Sequence, residues 1–421
     1  MTKARAFFSS IHGKRVAICG IGHNNLPVIH QFLNAGARVL ACDKRTEEEL
    51  GDTAVSLRNA GADLCLGEGY LDNLDVDLIL RTPGMKPYLP AFEEAKKRGI
   101  TVTSEMELFF DLCEAPIYAV TGSDGKTTTT TIIAGLLDAA GVKTFVGGNI
   151  GRALLPYVEK IEPHHAAVVE LSSFQLTGMK QSPHVAVVNA DNLVTHAFTD
   201  DCPGRVWQFS RCHPVEQGCW LDNDGRIIVS ENGTQTFVMD TQDILIHGVH
   251  NIENYMAAIV AVWGITPPEA IRGFARAFGG VEHRCELVRE RHGVKWYNDS
   301  IGSSPSRTIA GLQAFDKKVI LIAGGYDKHI PYAPLGVVAA ETVRAAILMG
   351  ATATAIEESI RACSDMPIIR VENMEQAVEA ADKLAEQGDI VFMSPASASF
   401  DMYPNFEVRG KHFKDLVQAL S

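Results

Sequence analysis

At 421 residues the chain is too long for one ordinary core, and two or three domains are expected. A hydrophobic share of 46% beside 21% charged residues is that of a soluble globular protein, and a formal net charge of −13 argues against nucleic acid or an anionic membrane surface as the main partner. The nine cysteines are scattered without a C-x-x-C, no run approaches a membrane span and the N-terminus lacks a signal-peptide core, which together suit a reducing cytoplasm.

In chain order, Val16 to Gly20 reads as a short apolar strand running into the turn G-I-G-H-N-N. A helix to Ala35 and a second strand, R-V-L-A-C-D, follow and end at Asp43. This is a βαβ unit with a glycine turn at a helix N-terminus and an acid where a ribose hydroxyl would lie. Asn25 stands in place of the third fingerprint glycine, so the pattern for NAD is incomplete. A third strand, D-L-I-L-R-T-P-G, ends in another glycine turn at Gly84.

The apolar run 116–120 (P-I-Y-A-V) leads into T-G-S-D-G-K-T-T at 121–128, and a helix-like stretch follows from Thr129 to Ala140. A buried strand, a glycine turn and a helix opening on Lys-Thr make a phosphate cradle. Gly122, Ser123, Asp124, Gly125, Lys126, Thr127 and Thr128 are therefore expected to bind a nucleoside triphosphate. Lys126 would reach the outer phosphates and Thr127 would hold Mg²⁺. Val120 occupies a position that is usually glycine, so the loop is a P-loop variant.

Ala166 to Glu170 reads as a strand whose terminal acid, Glu170, is the natural metal partner of that loop. Gly147-Gly148-Asn149-Ile150-Gly151 is a second glycine-rich turn, expected to enter a helix, and Val185 to Val188 is another strand. Cys202, Cys212, His213 and Cys219 lie near one another, but their spacing fits no common zinc pattern. Short strands with turns at Asn223-Asp224-Gly225 and Asn232-Gly233 fill 205–246. Helices are expected at Asn251–Trp263 and Pro267–Phe278, with helix capping as the plain reading of Asn251.

From about Gly280 a third unit alternates strands (G-V-K-W-Y-N-D-S, K-V-I-L-I-A-G-G, A-A-I-L-M-G, D-I-V-F-M-S) with helices at Pro305–Phe315 and Met374–Glu386. Arg284 follows a Gly-Gly, where an arginine could neutralise phosphoryl charge. Asp299 and Lys328 lie just past strand ends, where open α/β sheets place ligand groups. The last strand runs into Ser394 to Asp401, rich in small polar donors. The fold class is α/β: an N-terminal Rossmann-like domain (1–114), a central P-loop ATPase-like parallel sheet (115–280) and a C-terminal Rossmann-like domain (281–421).

The ordered string GIGHNNLP, RTPG, VTGSDGKTTTT, GGNIG, VVELSSFQL, HNIENYMAA, EHRCELV, YNDS, GGYDK and SPASASFDMYPNFEVRG resembles, nearly end to end, the Mur ligases. These are the ATP-dependent amino-acid ligases of peptidoglycan precursor synthesis. Within the family it is most similar to the members that add D-glutamate to UDP-N-acetylmuramoyl-L-alanine. The resemblance implies a substrate carboxylate that attacks the γ-phosphate of ATP, an acyl phosphate, and its aminolysis by D-glutamate. By position it implies Ile21, Gly22, Asp43, Lys44 and Gly84 near the uridine diphosphate, and Asn149 on the substrate side. Lys126, Thr127 and Glu170 would hold ATP phosphates and Mg²⁺. Asn251 would meet the adenine, and Arg284 and Asp299 the phosphate and ribose end of ATP. Lys328, Ser399 and Phe406, with Ser303 as companion, would hold D-glutamate. A cytoplasmic monomer is expected.

One departure stands out. In the family the strand after E-L-S-S-F-Q-L leads into N-x-x-x-N-H-L-D-x-H and, several dozen residues later, a carbamylated lysine, which bind a second Mg²⁺. Here the strand runs straight into N-A-D-N-L-V-T-H, Asn192 and His196 stand at the wrong spacing, and no lysine occurs between Lys180 and Lys295. Impaired ligase activity is therefore expected. The alternative is a non-catalytic nucleotide-binding variant of the same family, or a deletion form of it.

Overall fold

The structure, a computed structural model, describes residues 1–22, 25–72, 74–150, 152–176, 179–192, 204–246 and 248–420. His23, Asn24, Gly151, His196 and Cys202, all named above, lie outside the described residues, as does the stretch 193–203. Contacts divide the chain into two compact units: Met1–Thr241 with Glu253–Phe274, and Gln242–Ile252 with Ala275–Ser421.

The first unit opens with strands β1 (Arg15–Cys19), β2 (Arg38–Asp43), β3 (Asp63–Leu66), β4 (Leu78–Arg81) and β5 (Thr101–Ser104). They pair in parallel in the order β3-β2-β1-β4-β5. Strand order reverses at β1, so its C-terminal end opens a crevice between the turns after β1 and β4. The segment D-L-I-L-R is thus the fourth strand. The third, D-L-C-L, carries little signal in the sequence because it is short and opens on an exposed aspartate.

Next come β6 (Ile117–Val120), β7 (Thr144–Gly148) and β8 (Ala166–Glu170), parallel in the order β6-β8-β7. The helix after β6 begins at Lys126 rather than at Thr129. Among the described residues after G-G-N-I-G, the chain makes a 3-10 helix at Leu155–Lys160 in place of the expected α-helix, with Pro156 in its first turn. The buried Glu105 carboxylate accepts the N–H groups of Leu154 and Leu155 at 3.0 and 2.8 Å, fastening that turn to the helix after β5. One apolar core continues from Ala4 to Leu171, through Phe32, Phe109, Leu154 and Val169, so packing does not break near residue 114.

The remaining strands of this unit are β9 (Val185–Asn189), β10 (Arg205–Ser210), β11 (Gly218–Leu221), β12 (Arg226–Glu231) and β13 (Thr234–Asp240), in that spatial order. The β12–β13 hairpin turns on Asn232 and Gly233, at φ 50° and 79°, the left-handed pair a tight hairpin needs.

The second unit is built on β14 (Glu286–Arg291), β15 (Val294–Asn298), β16 (Val319–Gly324), β17 (Val343–Met349), β18 (Ile368–Arg370) and β19 (Ile390–Met393), ordered β14-β15-β19-β16-β17-β18. All neighbours pair in parallel except β14 with β15. β16 and β19 are buried throughout, as expected of strands covered on both faces. The adjacent strands β15, β19 and β16 send their C-terminal loops to one edge.

Candidate functional site

The register places Val120, Glu170 and Gly148 side by side at the C-terminal edge of the three-stranded sheet. After β6 the chain turns through Gly122 (φ 142°) and Gly125 (φ 73°), and Gly125 caps the helix Lys126–Ala139. A Cβ at Gly125 would lie 2.3 Å from Asn254 Oδ1, so any other residue would have to displace that amide as well as adopt a left-handed backbone. Asn254 Oδ1 in turn accepts from the Thr129 hydroxyl at 3.1 Å. Lys126 folds over the loop, its ammonium donating to the carbonyls of Gly122 and Ser123 at 2.9 Å each.

Glu170 is buried. Its Oε2 accepts from the Thr127 hydroxyl at 2.7 Å and its Oε1 from the Asn149 side-chain amide at 2.9 Å. The Asn149 N–H bonds the Glu170 carbonyl, against which Gly148 leaves no room for a Cβ. Asn149, expected on the substrate side, is bonded to the same carboxylate as Thr127. Both groups bonded to this carboxylate are neutral. Thr127 and Glu170 thus offer adjacent hard oxygens and an uncompensated charge, a donor set that fits Mg²⁺, which takes few protein ligands and keeps its waters. The N–H groups at the helix start beside this pair are of the kind that can bind an anion such as phosphate.

At the crevice of the first sheet, Asp43 accepts the Ile21 N–H at 2.7 Å and the Arg45 N–H at 3.0 Å. The Arg45 guanidinium reaches both Asp43 oxygens and the Ile21 carbonyl. Burial works against ionisation of Asp43, but these bonds outweigh it and hold the carboxyl down to about 2. Asp43 therefore shapes the turn. Arg45, which sequence reasoning missed, is its clamp; two residues past a strand end, it carries no local signal. The Asn25 amide bonds the Gly20 carbonyl at 2.8 Å and closes the turn that a third glycine would have formed. Ile21 is buried, while Gly22, Lys44 and Gly84 are exposed around this turn.

In the second unit, Lys328 donates to the carbonyl and hydroxyl of Ser303 at 3.3 Å each, so the structure brings these two candidates together. The buried Ser399 lies in the loop after β19, and Phe406 opens the helix Phe406–Ala419, its carbonyl bonded by Ser300. Asp299 points inward. It accepts from Ser394 Oγ at 2.6 Å and the Cys285 N–H at 3.2 Å, and burial raises its carboxyl to about 6 against those bonds and the nearby Arg284 and Arg307. Arg284 is half-buried on the bridged turn 281–284, beside His283 at φ 62°. Asn251 lies in the first turn of the helix Val249–Ala261, not at its cap.

Glu162, His164 and His165 could gather around a metal, with ligand atoms within 4.8 Å of one another. His165 Nδ1, however, accepts the Glu162 N–H at 3.0 Å. That bond puts the ring proton on Nε2 and leaves no lone pair for a metal. Among the described residues, no helix is long and apolar enough to cross a membrane.

A P-loop strand–turn–helix with an acid at the end of the neighbouring strand defines a nucleotide-binding α/β protein. Comparison with known proteins narrows the class. Residues 120–182 match the Mur ligase middle domain, and residues 283–397 the Mur ligase, glutamate ligase domain. A UDP-N-acetylmuramoylalanine–D-glutamate ligase of Acetivibrio thermocellus is 45% identical, covering 100% of this chain and 99% of its own length. One of Clostridium novyi is 42% identical, over 98% of each chain. The fold is similar to that of the UDP-N-acetylmuramate-alanine ligase of Thermotoga maritima (TM-score 0.52, 15% identity, 96% of this chain and 99% of that one). The chain belongs to the Mur ligase family, the ATP-dependent ligases of peptidoglycan precursor synthesis.

The alignment with the Acetivibrio relative runs over 463 residues, 42 more than the 421 of this chain. The relative thus carries about forty residues without a counterpart here, and the middle-domain match stops at residue 182, shortly before the expected gap.

Proposed function

We propose that this chain joins D-glutamate to UDP-N-acetylmuramoyl-L-alanine in the cytoplasm at the expense of ATP. The observation that carries this reading is 45% identity, end to end, to a ligase named for that reaction. Such similarity favours the ligase over a protein that only grips nucleotide.

The precursor's alanyl carboxylate attacks the γ-phosphorus, and ADP leaves. The amine of D-glutamate then attacks the acyl phosphate carbon, and phosphate and a proton depart. Lys126 and the N–H groups of 122–128 offset phosphate charge in this reading. Thr127 and Glu170, oriented by Asn149, would hold Mg²⁺, which would neutralise charge on the phosphate oxygens. The Asp43–Arg45 turn with Ile21, Gly22, Lys44 and Gly84 would take the uridine diphosphate. Ser303, Lys328, Ser399 and Phe406 would take D-glutamate, and Asn251 and Arg284 the nucleotide. With both of its oxygens already bonded, Asp299 supports that end from within.

The test is phosphate release from ATP with the UDP precursor, with and without D-glutamate. Release that requires D-glutamate is expected; release driven as well by another amino acid would sink the substrate assignment.

A further inference from the structure

Arg409 is fully buried on the helix Phe406–Ala419, and its hydrogen-bond partners are all neutral oxygens. Nη2 and Nε bond the Ser300 carbonyl and hydroxyl at 2.8 and 3.0 Å. Nη1 bonds the carbonyls of Ala398 and Ser397 at 3.0 and 3.2 Å. The Ala398 carbonyl also accepts the Tyr326 N–H at 2.9 Å, and Gly325 passes so close that a Cβ there would lie 2.2 Å from that carbonyl and 3.2 Å from Nη1. The Ser300 hydroxyl, in turn, holds the Phe406 carbonyl.

One planar guanidinium therefore ties the loop after β15 to the loop after β19, and the Ala398 carbonyl it holds carries the link on to the loop after β16. Burying a cation among neutral acceptors is costly, and a core built for stability alone would use an apolar side chain. Burial lowers the Arg409 pKa to about 10, which leaves it charged at neutral pH. Its rigid fork reaches four acceptors at fixed angles, which a lysine cannot do. Those loops carry Ser303, Lys328 and Ser399, and Phe406 stands one turn from Arg409.

We propose that Arg409 is a positioning residue for the amino-acid substrate: its fork sets the mutual spacing of the three loops that grip it. The inference rests on the reading of these loops as the D-glutamate site.

The experiment titrates the whole chain with D-glutamate in the presence of ADP, and separately with ADP, for the parent, Arg409→Lys and Ser300→Ala. Arg409→Lys is expected to weaken D-glutamate binding about tenfold or more, with ADP affinity within about twofold of the parent, and to raise the KM for D-glutamate more than it lowers kcat. Hydrogen exchange should quicken in 299–303, 325–328 and 394–401 but not in β16 or β19. Ser300→Ala removes one acceptor and should shift D-glutamate binding a few-fold the same way; it decides the matter if Arg409→Lys fails to fold. Parental D-glutamate affinity in both variants, or equal losses for D-glutamate and ADP, would overturn the assignment. Failure of the parent itself to bind D-glutamate would overturn the reading of the loops, and the assignment with it.

Discussion

The hydroxyl of Thr127 and the carboxylate of Glu170 meet at 2.7 Å, joining the first turn of the P-loop helix to the end of the neighbouring strand. The carboxylate is aimed by its second bond, from Asn149, whose own backbone is pinned to the Glu170 carbonyl across Gly148. Two strands and a helix thus fix where a cation would sit relative to the phosphates.

Removing the Glu170 charge should abolish the Mg²⁺ dependence of nucleotide binding. In Glu170→Gln, titration with ADP should give the same affinity with and without Mg²⁺. Asn149→Ala keeps the charge and loses its aim; a bond to a buried carboxylate is worth about 1–3 kcal/mol, so Mg²⁺-ADP affinity should fall about ten- to a hundredfold. Parental affinity in Asn149→Ala would show that the amide has no part in the site.

Gly125→Ala should damage both folding and grip. Alanine disfavours φ 73°, and its methyl carbon would press on Asn254 Oδ1. A loss of about 1–2 kcal/mol is expected, a fall of about 2–8 °C in melting temperature, together with weaker ADP binding. A melting temperature at or above that of the parent would contradict the close approach of Asn254 to this turn.

Much of this architecture is legible in the sequence because its signals are local. The apolar run before T-G-S-D-G-K-T-T, the strand A-A-V-V-E and the buried runs of β16 and β19 announce themselves through glycine spacing and hydrophobicity. What was not legible depends on long-range contacts. Arg409, inside F-E-V-R-G, looks like a solvated helical residue until Ser300 and Ala398, distant in sequence, close around it. Arg45 and Asn149 likewise acquire their meaning from the partners that the folded sheets bring to them.

Asp43→Asn should weaken uridine nucleotide binding about tenfold or more, because Ile21 and Arg45 lose the charge that orders their turn. The pH dependence has a definite sign. With its folded-state pKa depressed to about 2, Asp43 contributes stability that is present above its ordinary value near 3.8 and is lost as pH falls through about 2. Acid unfolding followed by circular dichroism should therefore begin at higher pH in Lys or Ala replacements of Arg45 than in the parent.

Asp299 should act in the opposite direction. Its folded-state pKa is raised to about 6 from 3.8, so the folded chain holds a proton that the unfolded chain releases first. The stability it contributes is present below about 3.8 and is lost as pH rises to about 6; ionised above that, Asp299 burdens the fold by about 3 kcal/mol. Asp299→Asn keeps an acceptor for Ser394. Its melting temperature relative to the parent should rise between pH 4 and pH 7 and level off beyond. A constant difference across that range would mean that Asp299 titrates as an ordinary carboxylate.

The gap expected after Val188 should bear on turnover rather than on grip. The Acetivibrio relative's alignment spans 42 residues more than this chain possesses, and no lysine lies between Lys180 and Lys295 to serve as a carbamate. The residues proposed to hold the nucleotide, from Gly122 to Thr128 with Glu170 and Asn149, are all present; Lys126 bonds the Gly122 carbonyl, and Thr127 and Asn149 both bond Glu170. A second cation would offset the repulsion between two anionic substrates, an effect worth several kcal/mol at the transition state. D-glutamate-dependent phosphate release should accordingly run about a hundredfold or more below that of the relative, while ADP affinities agree within a few-fold. Inserting the relative's extra segment after Val188 should restore turnover and leave ADP binding unchanged. Turnover equal to the relative's in the chain as it stands would show that the segment is dispensable, and that Lys126 and the Thr127–Glu170 pair suffice for the phosphoryl step.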